Sequence, residues 1–482
     1  MLKRKFLWLY RHIWLPLLSV TWYSFPWQLL LLNIRKNHLP HILWFLLIGI
    51  VTDNIGSMMG LSYLFLEPEY INRVNMWSLF ILGLTLGGFT MSYQITCYIL
   101  DAHYFRFLGQ LKYPFFKFSI NNALFPLTFL GFYLWEFVKF QKENGMQNDA
   151  EIWWEIAGFL AGFFVMHLFF FLYFYITNQD IFKILKKTNA TLQGVIKKTK
   201  IAKIHIKERY DMARADKIRV DYYFASPIRF RAVKEMIGVD KNSLMKVFNQ
   251  NHFNAVLIQS TIFGVVMVLG YFEENPYFQI PAGASLVLLF TLFIMFAGAL
   301  TFWLKKWLIS SIIIAAFFFN HFTKSEWFNQ AYEVYGINYD TPQKPAYTIE
   351  AVTSHISDQY FKEDYDSTLL ALNNWREKFP KKEPPKMIFI CTSGGGQRAS
   401  VWTMRTLQYV DSTLGGELMN HSMMITGASG GLVGAAYFRE LYLRQQEGEN
   451  IDLYAKEYFD NIARDNLNAI TFSWVVNDIF FR

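Results

Sequence analysis

Six apolar runs, each about as long as a bilayer is thick, constrain this chain more than any other feature. A helix needs about 20 mostly apolar residues to cross the hydrocarbon core. Runs over 42–66, 76–100, 118–140, 152–177, 253–272 and 280–304 meet that requirement. A seventh, Trp307 to Phe319, is shorter, and reads as a short span, an interfacial helix or a continuation of the sixth. The charged fraction of 17% falls well below the roughly 25% of soluble domains. Phe6 to Leu32 is also apolar, but Pro16 and Pro26 interrupt it and no small-residue cleavage site follows Lys3-Arg4-Lys5. Residues 1–40 therefore read as a basic, interfacial or re-entrant segment, not a cleaved signal. The two cysteines, Cys97 and Cys391, are too far apart in unrelated contexts to suggest a disulfide framework or a metal site.

Charge sets an expected orientation. Between Lys183 and Lys246, 17 Lys/Arg stand against 6 Asp/Glu, a local +11 within a total of +8. This insert (183–250), the N-terminus and Arg106–Lys117 all fall on one side of six spans, while the opposite loops Glu67-Pro68-Glu69 and Glu273-Glu274-Asn275 are short and acidic. Positive residues stay cytoplasmic, so that side is expected to be the cytoplasmic face of a bacterial inner membrane. Six spans would leave the C-terminal region cytoplasmic; a true seventh would export it. The basic block reads first as a product of topology and of a solvated helical face, and more specifically as a contact for anionic headgroups. It holds no nucleic-acid reader motif. Asp53, Asn54, Glu136, Glu155 and His167 interrupt the apolar runs. Such residues are functional candidates by default, though a helix break at Asp53 and interfacial glutamates explain them more simply. No internal repeat or charged relay suggests a transporter.

The transmembrane region thus extends over 41–322. Composition shifts near residue 323, and 323–385 reads as a linker carrying some helical pattern, closed by Lys381-Lys382-Glu383-Pro384-Pro385. Chemistry concentrates beyond it. Met387–Cys391 reads as a buried strand running into Thr392-Ser393-Gly394-Gly395-Gly396-Gln397-Arg398 and then a helix. Glycines there let backbone N–H groups converge on an anion at the helix N-terminus. A second strand, Met423–Thr426, runs into Gly427-Ala428-Ser429-Gly430-Gly431 and a helix from Leu432. Gly-x-Ser-x-Gly between a strand and a helix is the pattern of a nucleophile elbow, in which a sharp turn exposes the serine hydroxyl.

Together these motifs resemble the patatin-like phospholipase family, with its Gly-Gly-Gly-x-Arg oxyanion loop followed by a Gly-x-Ser-x-Gly elbow. Here Gly394, Gly395, Gly396 and Arg398 form the first motif, and Gly427, Ser429 and Gly431 the second, with Ser429 33 positions after Gly396. The resemblance implies a three-layer α/β/α hydrolase domain over 386–482 and a Ser–Asp dyad with no cofactor and no metal. Departures are Ser393 before the glycines, Ala399 after the arginine, and the lack of any Asp-Gly after Ser429. Asp452, Asp460, Asp465 and Asp478 lie in stretches that read as helix or helix end. The resemblance covers about the first half of such a domain, so the dyad Asp is expected beyond residue 482 and the 482-residue form is expected to be inactive. His421 lies eight residues before the serine, about 25 Å at ~3.3 Å per residue. Dinucleotide readings of the same glycines lack an acidic residue at the end of a second strand and a correctly placed final glycine.

The expectation is a membrane-anchored serine acyl hydrolase of lipid esters. Membrane phospholipids would be both substrate and environment, with no nucleic acid partner. The alternative is a membrane transport or assembly subunit in which a non-catalytic hydrolase-like module serves for docking.

Overall fold

The computed structural model describes residues 20–144, 148–178, 218–234, 241–304, 307–322, 338, 346–354 and 356–478. The basic stretch around Lys197, Lys203 and Arg214 and the Asp340–Pro345 turn lie outside the described residues. The chain divides into two compact units, Met1–Gln330 together with Asp465–Arg482, and Ala331–Arg464.

The first unit is helical. Helix α1 (Phe25–Lys36) starts with Pro26 in its first turn, where a missing N–H costs nothing. Its Phe25 is buried against the rings of Phe105, Phe107 and Phe118. Leu29, Leu32 and Asn33 of the same helix are also buried, while Trp27, Ile34, Arg35 and Lys36 are exposed. Helix α2 (His38–Val51) stops well before the end of the first apolar run. Asp53 takes a left-handed φ of 58° and accepts a hydrogen bond from Ser62 Oγ at 2.8 Å. The expected span over 42–66 is thus a 14-residue helix, a turn, and the short α3 (Tyr63–Leu66). A two-residue hairpin, β1 (Glu69–Tyr70) with β2 (Arg73–Val74), leads to α4 (Met76–Asp101). Asn75 and Ser78 cap α4 reciprocally.

The expected span over 118–140 is also broken. Helices α5 (Pro114–Asn121) and α6 (Leu124–Asn144) meet at 50°. Asn122, in the break, donates to Gln94 Oε1 at 2.9 Å and accepts from Asn33 Nδ2 at 2.8 Å. Asn37 Nδ2 donates to Asn33 Oδ1 and to the buried Asp101 carboxylate. These side chains are all buried, and each satisfies the next.

Helix α7 (Asp149–Thr177) packs on α4 through four glycines. A Cβ on Gly83 would lie 2.0 Å from Phe159 O and one on Gly162 2.0 Å from Phe80 O; Gly87 and Gly158 are similarly close to Phe163 O and Met76 O. Contacts advance in the same direction on both helices, so α4 and α7 run parallel. Two small-xxx-small stripes allow this approach. Hairpin β3 (Tyr222–Ser226) with β4 (Arg229–Ala232) packs on α5. Then follow α8 (Lys241–Gly270), α9 (Ala282–Leu304) and α10 (Leu308–Phe322). Among the described residues four helices are long and apolar enough to cross a membrane, within α4, α7, α8 and α9, and the bent α5–α6 pair passes the same test as one span.

The second unit contains α11 (Ile349–Ser354) and the 20-residue α12 (Asp358–Glu377), so much of the expected linker is helical. Trp375, near the end of α12, donates to Asn420 O at 3.1 Å. Strand β5 (Ile388–Thr392), α13 (Gly396–Thr413), the short α14 (Leu418–His421), β6 (Ser422–Gly427), α15 (Ser429–Gln446) and α16 (Lys456–Ile462) complete it. The two strands pair in parallel, with Thr392 opposite Gly427. Ile390, Met404, Leu407, Phe438 and Leu441 form its core. Among the described residues the sheet has two strands, fewer than a three-layer sandwich requires.

Residues 465–478 depart from the expected 386–482 domain, since they pack within the first unit. Asn468 of α17 (Leu467–Ser473) accepts from Ala282 N–H and donates to Glu69 O, both at 2.7 Å. Partial desolvation pushes the Glu69 carboxyl above its ordinary value, and the nearby Asp465 and Glu67 charges add to the shift. Burial likewise raises Asp465. A raised carboxyl pKa contributes stability below its unfolded value and loses it as pH rises through the folded value. Hydrogen exchange of the 467–473 amides is therefore expected to be slower near pH 4 than at pH 7 after correction for intrinsic rates. Glu69→Gln should flatten that dependence; an unchanged profile would exclude this carboxylate as its source.

Candidate active site

Both glycine loops sit at the C-terminal ends of the paired strands. Thr392 and Gly427 end β5 and β6 side by side, so the chain leaves each strand at the same edge of the sheet. A Cβ on Gly427 would fall 2.0 Å from Thr392 Oγ1, and one on Gly431 2.2 Å from Ser393 O. Only glycine fits either place, which gives the outer positions of the elbow motif a steric cause. Between them, Ser429 adopts φ = 50°. Left-handed backbone costs an L-residue about 1–2 kcal/mol, and its occurrence at the turn residue is the strain such an elbow needs. Ser429 is exposed and is the first residue of α15.

The first loop lies against this turn. A Cβ built on Gly394 would be 3.3 Å from Ser429 Cβ. Gly395 and Gly396 take φ of 151° and 61°, both in the range that favours glycine. Helices α13 and α15 then run parallel in close contact: a Cβ on Gly430 would sit 1.8 Å from Gly396 O, and one on Gly434 2.3 Å from Ser400 O. Neither helix has a side-chain hydrogen bond at its N-cap, which is Gly395 in α13 and Ala428 in α15. Two sets of amide N–H groups, each with a dipole end worth about half a positive charge, therefore open beside the Ser429 hydroxyl. Arg398 is in the first turn of α13 and exposed. The arrangement suits an anion or a developing oxyanion.

Ser400 is a supporting residue that motif reading passed over. It is buried, and its Oγ donates to Gly430 O at 2.6 Å, tying α13 to the turn. Its signal was a small residue one helical turn after Gly396. Asp411 is buried and structural: it accepts from Leu418 N–H at 3.0 Å and from Tyr454 Oη at 2.9 Å. Burial, reinforced by Asp411, raises the Tyr454 hydroxyl to about 12.

The candidate bases are engaged elsewhere. Asp452 accepts from Tyr454 N–H, Asp460 pairs with Lys456 at 3.8 Å, and Asp465 caps Leu467 and Asn468 in the first unit. His421 precedes β6, at the end away from the elbow, with Nδ1 2.9 Å from Lys386 O and its ring against Phe379. Among the described residues no three His, Cys, Asp or Glu side chains gather as a metal site would require.

Two of the polar residues that interrupt the apolar runs make local contacts. Glu136 pairs with Lys139 at 3.7 Å, and His167 Nδ1 lies 2.8 Å from Phe163 O within α7. Glu155 is buried.

In class terms the second unit presents two successive strand–turn–helix elements whose glycine turns enclose a strained serine. No family model matches the chain, and neither curated proteins nor solved structures give a match.

Proposed function

We propose that the chain is a membrane-anchored serine acyl hydrolase of the patatin-like kind, acting on phospholipid or related lipid esters. One observation carries the reading: Ser429 stands in left-handed backbone between a parallel strand and a helix, with Gly394 of the other glycine loop against it. In this reading Ser429 Oγ attacks the ester carbonyl and its proton passes to a base. The Gly394, Gly395 and Gly396 amides, aided by Arg398, hold the oxyanion, a contribution worth about 10²–10³-fold in rate per donor. Collapse of the tetrahedral intermediate expels the alcohol, and water then releases the acyl group. The base is an Asp supplied from outside the described residues, as the resemblance implies. An anchor places the serine where lipid esters are concentrated, and the Lys/Arg distribution favours the cytoplasmic side.

A fluorophosphonate probe tests this on the purified protein. Mass spectrometry should find the adduct on Ser429, and Ser429→Ala should remove it. Failure to modify Ser429 under conditions that label a control serine hydrolase would sink the proposal. The engaged carboxylates of Asp452, Asp460 and Asp465 favour a second reading, a transport or assembly subunit whose hydrolase-like unit only docks.

A further inference from the structure

The β3–β4 hairpin stands apart from the glycine loops and has a chemistry of its own. It is fixed to α5 by three polar contacts. Asn121 Nδ2 donates to Phe224 O and Phe224 N–H donates to Asn121 Oδ1, each at 2.9 Å, while Lys117 Nζ donates to Ala225 O. One hairpin face buries Tyr223 and Ala225, with Tyr223 against Phe107. The other carries Tyr222, Phe224 and Phe230, with Phe230 stacked on Tyr222 at 5.5 Å and inclined to Phe224 at 5.0 Å. At the tip Ile228 is 94% exposed.

Basic side chains gather on this hairpin and the helix that holds it. Arg231 lies opposite Tyr223 in the ladder, and Lys117 bonds to Ala225 O, two residues further along β3. Arg229, Arg231 and Lys234 are exposed, and among the described residues none of them, nor Lys117, has a carboxylate partner. Arg219 is different, being held by Asp221 at 2.8 Å. Exposed cations without carboxylate partners attract an anion. Across the break at Asn122, α5 continues into α6, where Leu124, Leu127, Phe132 and Trp135 are exposed on a helix of membrane-spanning composition. A solvent-exposed isoleucine, an aromatic face and clustered cations beside such a helix match the boundary between headgroups and acyl chains.

We infer that the β3–β4 hairpin is an anionic-phospholipid docking element, in which Lys117, Arg229 and Arg231 hold the headgroup phosphate and Ile228 and Phe230 enter the acyl boundary. A phosphodiester offers the charge, and its diacyl portion the apolar surface. Each basic contact near the surface adds about fivefold to the affinity for anionic lipid.

The test places a bimane fluorophore at Ile228→Cys in a Cys391→Ser background of the full chain, reconstituted in nanodiscs. Emission should shift to the blue as phosphatidylglycerol replaces phosphatidylcholine. In the same background Arg231→Gln, and separately Arg229→Gln, should each raise the phosphatidylglycerol fraction at half-shift about fivefold. Both side chains are exposed, so folding should survive, and far-UV circular dichroism checks it. Inorganic phosphate added to detergent micelles should give no shift. Equal emission in discs of either lipid, unchanged titrations in both Gln variants, or a full shift with phosphate alone would each overturn the inference.

Discussion

Replacing Gly162 by leucine is expected to lower the thermal midpoint of the membrane unit by about 10 °C, corresponding to ~3 kcal/mol or more. A single Cβ at that position would stand 2.0 Å from Phe80 O. The obstacle is backbone on the facing helix, which cannot rotate away as a side chain can. Leucine adds three further carbons, so α4 and α7 must separate along their length and lose the contacts made at Gly83, Gly87 and Gly158 as well. Gly131 in α6 and Gly264 in α8 have nothing within 4 Å of an added Cβ. Gly131→Ala and Gly264→Ala should therefore be neutral or slightly stabilising, since alanine favours a helix by about 0.8–1 kcal/mol. Melting in detergent, followed by tryptophan fluorescence, separates the two groups. A Gly162→Leu protein that melts with the Gly131→Ala protein would show that the close helix pair does not hold the unit together.

The second expected result joins stability to chemistry at one atom. Under the proposed hydrolase function, Ser429→Ala should reduce acyl release from labelled phospholipid by about 10⁴-fold or more, as loss of a nucleophile does. Ser429→Gly should do the same while stabilising its surroundings. The serine holds φ = 50°, and glycine removes that strain of about 1–2 kcal/mol at some entropic cost. Protection of the β6 and α15 amides against hydrogen exchange should rise about fivefold in Ser429→Gly. Slower acyl release without added protection would separate the nucleophile's role from the strain argument. Added protection with full acyl release would place the chemistry elsewhere.

Much of this was legible in one dimension, for physical reasons that differ by region. Periods of apolar residues located α4, α7, α8 and α9, since bilayer thickness imposes a length. The same rule misjudged the extent of 42–66 and did not register the bend within 118–140. A hydropathy run counts residues and does not register a left-handed Asp53 or an Asn122 whose partners, Asn33 and Gln94, come from elsewhere in the chain. The glycine loops were legible because a sharp turn between strand and helix admits few residue types. Gly83 and Gly162 were not, because what excludes a side chain there is a helix about 80 residues away in sequence. Ser400 escaped for the same reason, as its partner, Gly430 O, is 30 residues on. The departure of 465–478 from the second unit turns on Asn468 bridging Ala282 and Glu69, a pairing without a local signature.

The buried amide cluster has a consequence for how the bundle is made. Asn33, Asn37, Gln94, Asp101 and Asn122 come from three separate stretches of chain, and they hydrogen-bond to one another. A segment carrying Gln94 and Asp101, released singly into lipid, would face hydrocarbon with polar groups exposed, at several kcal/mol. The early helices therefore gain little by partitioning one at a time. They are better held together at the insertion machinery until residue 122 has emerged and can enter as a set, so that biogenesis of this unit has a threshold length.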